Sequence, residues 1–76
     1  MTVPLNSLLV GDKCKVKKLV SEGLIRRRLL DLGLIPNTVV EVVQASHFGD
    51  PVAYLIRGTV IALRSEVAEI ILVEKI

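Results

Sequence analysis

One cysteine, one histidine, one tyrosine, one phenylalanine and no tryptophan are spread over 76 residues, and each scarcity excludes something. Cys14 has no partner for an internal disulfide, so nothing demands an oxidising compartment, and no cysteine pair exists to hold a metal. The ferrous-iron arrangement of two histidines and a carboxylate cannot be assembled from His47 alone. Catalysis needs an acid, base or nucleophile steadied by a second group, and one His and one Cys in no shared motif do not provide it. The chain is therefore expected to be non-enzymatic, without cofactor or metal. Long apolar runs are missing as well. None approaches the about 20 residues that span a bilayer, and the opening MTVPLNSL lacks the basic start and apolar run of a secretory signal. A cytoplasmic protein is expected. Strong charge of either sign is also absent: ten Lys and Arg against eight Asp and Glu leave +2, a small excess beside the basic domains that bind nucleic acid.

What the chain has in quantity is apolar side chains, 51% of residues with a mean hydropathy of +0.59. A single domain spanning residues 1–76 has too much surface for its volume to hide them all. Some Leu, Ile or Val should stand exposed, which favours a protein partner or self-association.

The segment from Ser21 to Asn37, SEGLIRRRLLDLGLIPN, reads as a helix complete with its stop. At 100° per residue Leu24, Ile25, Leu29 and Leu32 share an arc, the apolar stripe expected to dock on a core. Gly33 ends it, because glycine takes the left-handed conformation without a Cβ penalty; Leu34 can fold back on Leu29, and Pro36 blocks continuation. The start is less marked, with Ser21 placed to accept from a free amide and Glu22 suited to the positive helix end.

Around this helix the patterns are those of strands. Pro4 to Leu9 can make one loose helical turn before the Gly11-Asp12 turn. From Lys13, Cys14 and Val16 alternate with Lys13, Lys15 and Lys17, giving a strand with one wet face. Thr38 to Gln44 places Val40 and Val42 on one face and Glu41 on the other. His47 to Pro51 is a loop. Val52–Ile56 and Thr59–Leu63 form a hairpin about Arg57-Gly58, with Gly58 supplying positive φ. Ser65 can cap a helical turn over Glu66 to Glu69 before a last strand, Ile70 to Glu74. About five short strands, one helix after the first and a helical turn before the last predict a mostly β chain folded as a small barrel. Oligonucleotide-binding barrels insert their helix later, so the early position favours an SH3-like barrel.

Arg28-Leu29, Leu32-Gly33-Leu34, Pro36, Gly49-Asp50-Pro51-Val52, Arg57-Gly58, Ala62-Leu63-Arg64, and Ala68 with Ile71 and Val73 occur in an order that resembles the FeoA family of bacterial ferrous-iron uptake. That family is similar in turn to the C-terminal barrel of iron-dependent repressors. The chain departs from it at Asn37, where the family usually has Gly; Asn is the next best residue for a left-handed conformation. The resemblance implies an accessory or regulatory protein that docks on the cytosolic part of the FeoB GTP-binding transporter. Most matched positions are core or turn positions, so the resemblance speaks to fold more than to function.

Helix geometry divides the three arginines. Arg28 falls between Leu24 and Leu32, so its expected role is structural, with its guanidinium on carbonyls or on Asp50. Arg26 and Arg27 face away beside Leu30, a leucine on the polar side. Arg26, Arg27 and Leu30 are the candidate partner-binding patch; Gly33, Pro36, Asn37 and Gly58 are expected to be structural. Three other readings stay beside this one. His47 and Asp50 could meet a metal only if an oligomer gathered several histidines. Lys13, Lys15, Lys17 and Lys18 could meet nucleic-acid phosphates, but Phe48 and Tyr54 are few aromatics for stacking. A ligand-sensing domain like that of iron-dependent repressors is the third, and no helix-turn-helix is present to read DNA.

Overall fold

Strand β2, Lys13–Leu19, buries Cys14 and Val16 completely while Lys13 and Lys15 stay in water. The structure, a computed structural model describing residues 1–76, keeps that alternation going past an interruption. Between Val16 and Lys18 the pairing with β6, Ile71–Lys75, shifts by one residue, and this bulge turns Leu19 inward in place of a lysine. Strand β3, Val39–Ala45, does the same between Val42 and Gln44, with Val40 and Val42 inside. Strands β4, Val52–Ile56, and β5, Thr59–Leu63, form the hairpin at the residues expected. Its turn has positive φ at both Arg57 (51°) and Gly58 (81°), the primed geometry whose twist matches the flanking strands.

With β1, Val3–Pro4, at one edge, all pairings are antiparallel, in the order β1-β6-β2-β3-β4-β5. The extra strand over the five expected is β1, Val3–Pro4, paired with β6. Two residues carry no period, so sequence pattern could not reveal it. One buried cluster draws on β2, β3, β4, β5 and β6 together with Leu5, Leu29, Leu34 and Ala68, so the sheet wraps around a single core. The edge strands do not pair with each other. The segments that follow them are joined instead, by Asn6 Nδ2 donating to the Ser65 carbonyl (3.2 Å) and hydroxyl (3.1 Å).

Helix α1, Gly23–Asp31, begins after Glu22, whose side chain caps nothing. It ends in a complete Schellman motif: Gly33 has φ 99°, its N–H reaches the Leu30 carbonyl at 3.0 Å, and the Leu34 N–H reaches the Leu29 carbonyl at 3.1 Å. Leu34 and Leu29 are both buried in the core cluster. Beyond it, Asn37 has φ 73° and its N–H bonds the Val16 carbonyl at 2.7 Å, which pins the turn after Pro36 onto β2.

The face α1 turns to the core differs from the stripe expected. Leu29 alone is fully buried, Leu30 and Leu32 pack partly against the cluster, and Leu24 is 84% exposed. The reason is where the helix lies: its buried contacts come from its last turn, and each residue from Glu22 to Arg28 is exposed. Periodicity says which residues share a face, not whether the domain extends far enough to cover it.

Helix α2, Ser65–Ala68, is a single turn, and β6 starts one residue later than expected, at Ile71. Ser65 does not cap it. Asp50, fifteen positions earlier, accepts the Ser65 N–H at 2.9 Å, while the Ser65 hydroxyl serves Asn6.

Candidate docking face on the helix

Because α1 overhangs the sheet, its first two turns present Leu24 and Ile25 to water beside three consecutive arginines. Leu24, Ile25 and Leu29 form one wall of a groove of about 460 Å³; Val67 of α2 lies opposite, and Arg27, Arg28 and Asp31 stand at the rim. Desolvating Leu24 would yield roughly 1.5–3 kcal/mol and the part-covered Ile25 about half of that. An apolar centre with two guanidinium groups and one carboxylate around it is the make-up of a protein-binding patch.

The candidate patch of Arg26, Arg27 and Leu30 is broken up by this geometry. Leu30 is half-buried against the core, so it cannot be the exposed centre. Arg26 folds back toward β2, its Nη1 3.4 Å from the Leu19 carbonyl. Arg27 remains at the groove. Arg28, expected on the core side, is exposed beside it and does not reach Asp50, which is engaged by Ser65. None of the three arginines is in an ion pair; the pairs present are Met1 with Glu74, Lys17 with Glu74 and Lys75 with Asp12. The regular stripe predicts Leu24 and Ile25 on the core side, and the overhang of α1 leaves both in water. The available signal was the chain's excess of apolar residues over what so small a core can bury.

Elsewhere Cys14 is buried and Asp12 is engaged by the Leu9 amide, while His47 is exposed. Burial, with the Asp12 charge adding to it, pushes the Cys14 thiol up to about 11, and its Sγ sits 3.6 Å from the Val40 carbonyl. The Leu9 N–H, bonded to its Oδ2 at 3.0 Å, holds the Asp12 carboxyl below its ordinary range, with Lys75 assisting. His47 stands edge-on to Phe48, ring centroids 5.0 Å apart, and no three His, Cys, Asp or Glu side chains converge. Asp50→Ala should free the first amide of α2, costing about 1 kcal/mol and lowering the melting temperature by roughly 4–8 °C. Thermal denaturation checks it.

A family model described as the FeoA domain matches residues 3–75. The chain belongs to the FeoA family. A fusion of Fe(2+) transport protein A with the Fe(2+) transporter FeoB, from Porphyromonas gingivalis, is 35% identical over 72 residues. The match covers 95% of this FeoA chain and 8% of the fusion, so the chain spans a small part of that relative's length. Among solved structures, a FeoA-like protein from Clostridium acetobutylicum has a TM-score of 0.91 at 33% identity, over 99% of this chain and 87% of that one. FeoA of Stenotrophomonas maltophilia complexed with zinc, described as a prokaryotic SH3 domain protein, gives 0.82 at 27% identity over 97% and 89%. The FeoA fold here is thus the SH3-like one expected from the early helix, with six strands. No helix is long and apolar enough to cross a membrane.

Proposed function

We propose that this FeoA domain is a non-enzymatic accessory of ferrous-iron uptake that docks by protein–protein contacts on the cytosolic part of a FeoB-type GTP-binding transporter. The observation that carries the reading is the Porphyromonas gingivalis relative, in which a matching domain and the transporter share one chain. A tether of that kind holds the two at high effective concentration, which is useful only if they act on one another. The surface best suited to the contact is the overhanging half of α1, with Leu24 and Ile25 as anchors and Arg27 and Arg28 as rim. Iron is the transporter's cargo in this reading and is not held by the domain.

The nucleic-acid reading fares worse for two reasons. Tyr54 is buried, leaving Phe48 as the single exposed aromatic, and Lys17 of the basic strand is drawn to Glu74 at 3.9 Å. A DNA-reading role fares no better, since α2 is one turn long and is separated from α1 by three strands.

Titrating the labelled domain onto detergent-solubilised transporter, and in parallel onto duplex DNA and RNA, separates the readings. Saturable transporter binding in about the micromolar range is expected. Nucleic-acid binding that falls steeply with salt, with none to the transporter, would replace the reading.

A further inference from the structure

The two edges of the sheet are treated differently. Strand β1 is two residues long and contains Pro4, so it offers almost no free ladder. Strand β5 is a full five residues, Thr-Val-Ile-Ala-Leu, with no charge, no proline and an unbroken register against β4. Natural edges are normally blunted by such devices, and this one is not.

Which groups it offers follows from the hairpin. The pair that closes a two-residue turn, Ile56 with Thr59, is hydrogen-bonded, and bonded pairs alternate along an antiparallel ladder. Thr59, Ile61 and Leu63 therefore bond to β4, while the N–H and C=O of Val60 and Ala62 point outward. No backbone hydrogen bond outside the ladder occupies them, and Val60 is 61% exposed. Beside the strand, Thr59 and Ile61 line a cleft of about 520 Å³ with Leu32 and Ile35 on its other side.

Arginines flank the edge. Arg57 stands before it, in a left-handed conformation that favours Asn or Gly, and its side chain lies across Gly33. Arg64 follows it. Both are exposed and neither is in an ion pair, although Asp31 also lines the cleft. A second copy of this chain is the wrong occupant: antiparallel pairing of β5 with itself about Ile61 would set Arg64 opposite Gly58, beside Arg57, at both ends.

We propose that the β5 edge captures an extended segment of a partner protein by strand addition, a segment uncharged and β-branched over about five residues with a carboxylate at each end to meet Arg57 and Arg64. The outward groups of Val60 and Ala62 supply the ladder, and the cleft takes side chains from one face of the added strand. This surface does not use Leu24 or Ile25, so it stands apart from docking through α1.

The test uses the isotope-labelled chain and a synthetic probe, acetyl-Glu-Val-Thr-Val-Thr-Val-Glu-amide, beside its lysine-flanked counterpart. Saturable binding of the acidic probe should slow amide exchange at Val60 and Ala62 at least about tenfold, the lysine probe leaving them unchanged. Val60→Pro removes an outward donor without touching the β4 ladder and should abolish the protection. The double variant Arg57→Glu, Arg64→Glu should reverse the preference to the lysine probe, and it decides the matter if Val60→Pro fails to fold. The proposal is overturned if the acidic probe does not saturate by about 2 mM, if folded Val60→Pro is protected equally, if the double variant keeps its preference, or if the response maps to Leu24 and Ile25.

Discussion

Gly33→Val should lower stability by about 2–4 kcal/mol, close to the whole reserve of so small a domain. Two costs combine. At φ 99° a side chain strains the backbone, by about 1–2 kcal/mol for an ordinary residue and more for a β-branched one. A Cβ at this position would also meet Arg57 Cδ at 2.5 Å, so the side chain that crosses Gly33 must move. Since about 1 kcal/mol shifts the midpoint of a domain this size by 4–8 °C, the melting temperature should fall by at least roughly 10 °C. An unchanged midpoint in thermal denaturation would mean that the helix stop does not depend on the left-handed glycine.

Leu29→Glu should unfold the domain at room temperature. Leu29 is 2% exposed and is the one side chain of α1 fully inside the core. Losing such a leucine costs about 2–5 kcal/mol before any charge is considered, and a carboxylate in its place must be buried unpaired or expel the helix. Leu30→Glu, on a half-buried side chain, should be intermediate, and Leu24→Glu should leave the fold intact. The order of losses along α1 is therefore Leu29, unfolded without denaturant by circular dichroism, then Leu30, then Leu24, the last two ranked by their midpoints in urea. Equal losses at Leu24 and Leu29 would mean that the first turns of the helix pack on the sheet after all.

How far the sequence could be read depended on whether a feature was local. The β4–β5 hairpin was legible to the residue because Arg57-Gly58 sits between two uncharged apolar runs, and turn chemistry acts over four residues. The end of α1 was legible for the same reason, with Gly33, Leu34 and Pro36 in one short run. What escaped were features set by distant contacts. The cap of α2 comes from Asp50 in the β3–β4 loop, fifteen positions away, while the Ser65 hydroxyl accepts from Asn6. Strand β1 exists only because β6 lies beside it. For the proposed docking face, period shows that Leu24 and Ile25 share a side of α1 with Leu29, but whether that side is covered depends on how far the sheet extends beneath the helix, and both side chains stand exposed.

The most direct measurement is the affinity of folded Leu24→Glu for a full-length FeoB-type transporter in nanodiscs, compared with the unmodified chain at the same salt concentration. Docking through α1 requires a loss of at least about tenfold, carried mainly in the dissociation rate as for a buried anchor, with the melting temperature within a few degrees of the parent. Unaltered affinity in a stably folded Leu24→Glu would contradict it, and docking would have to use a surface other than the overhanging half of α1.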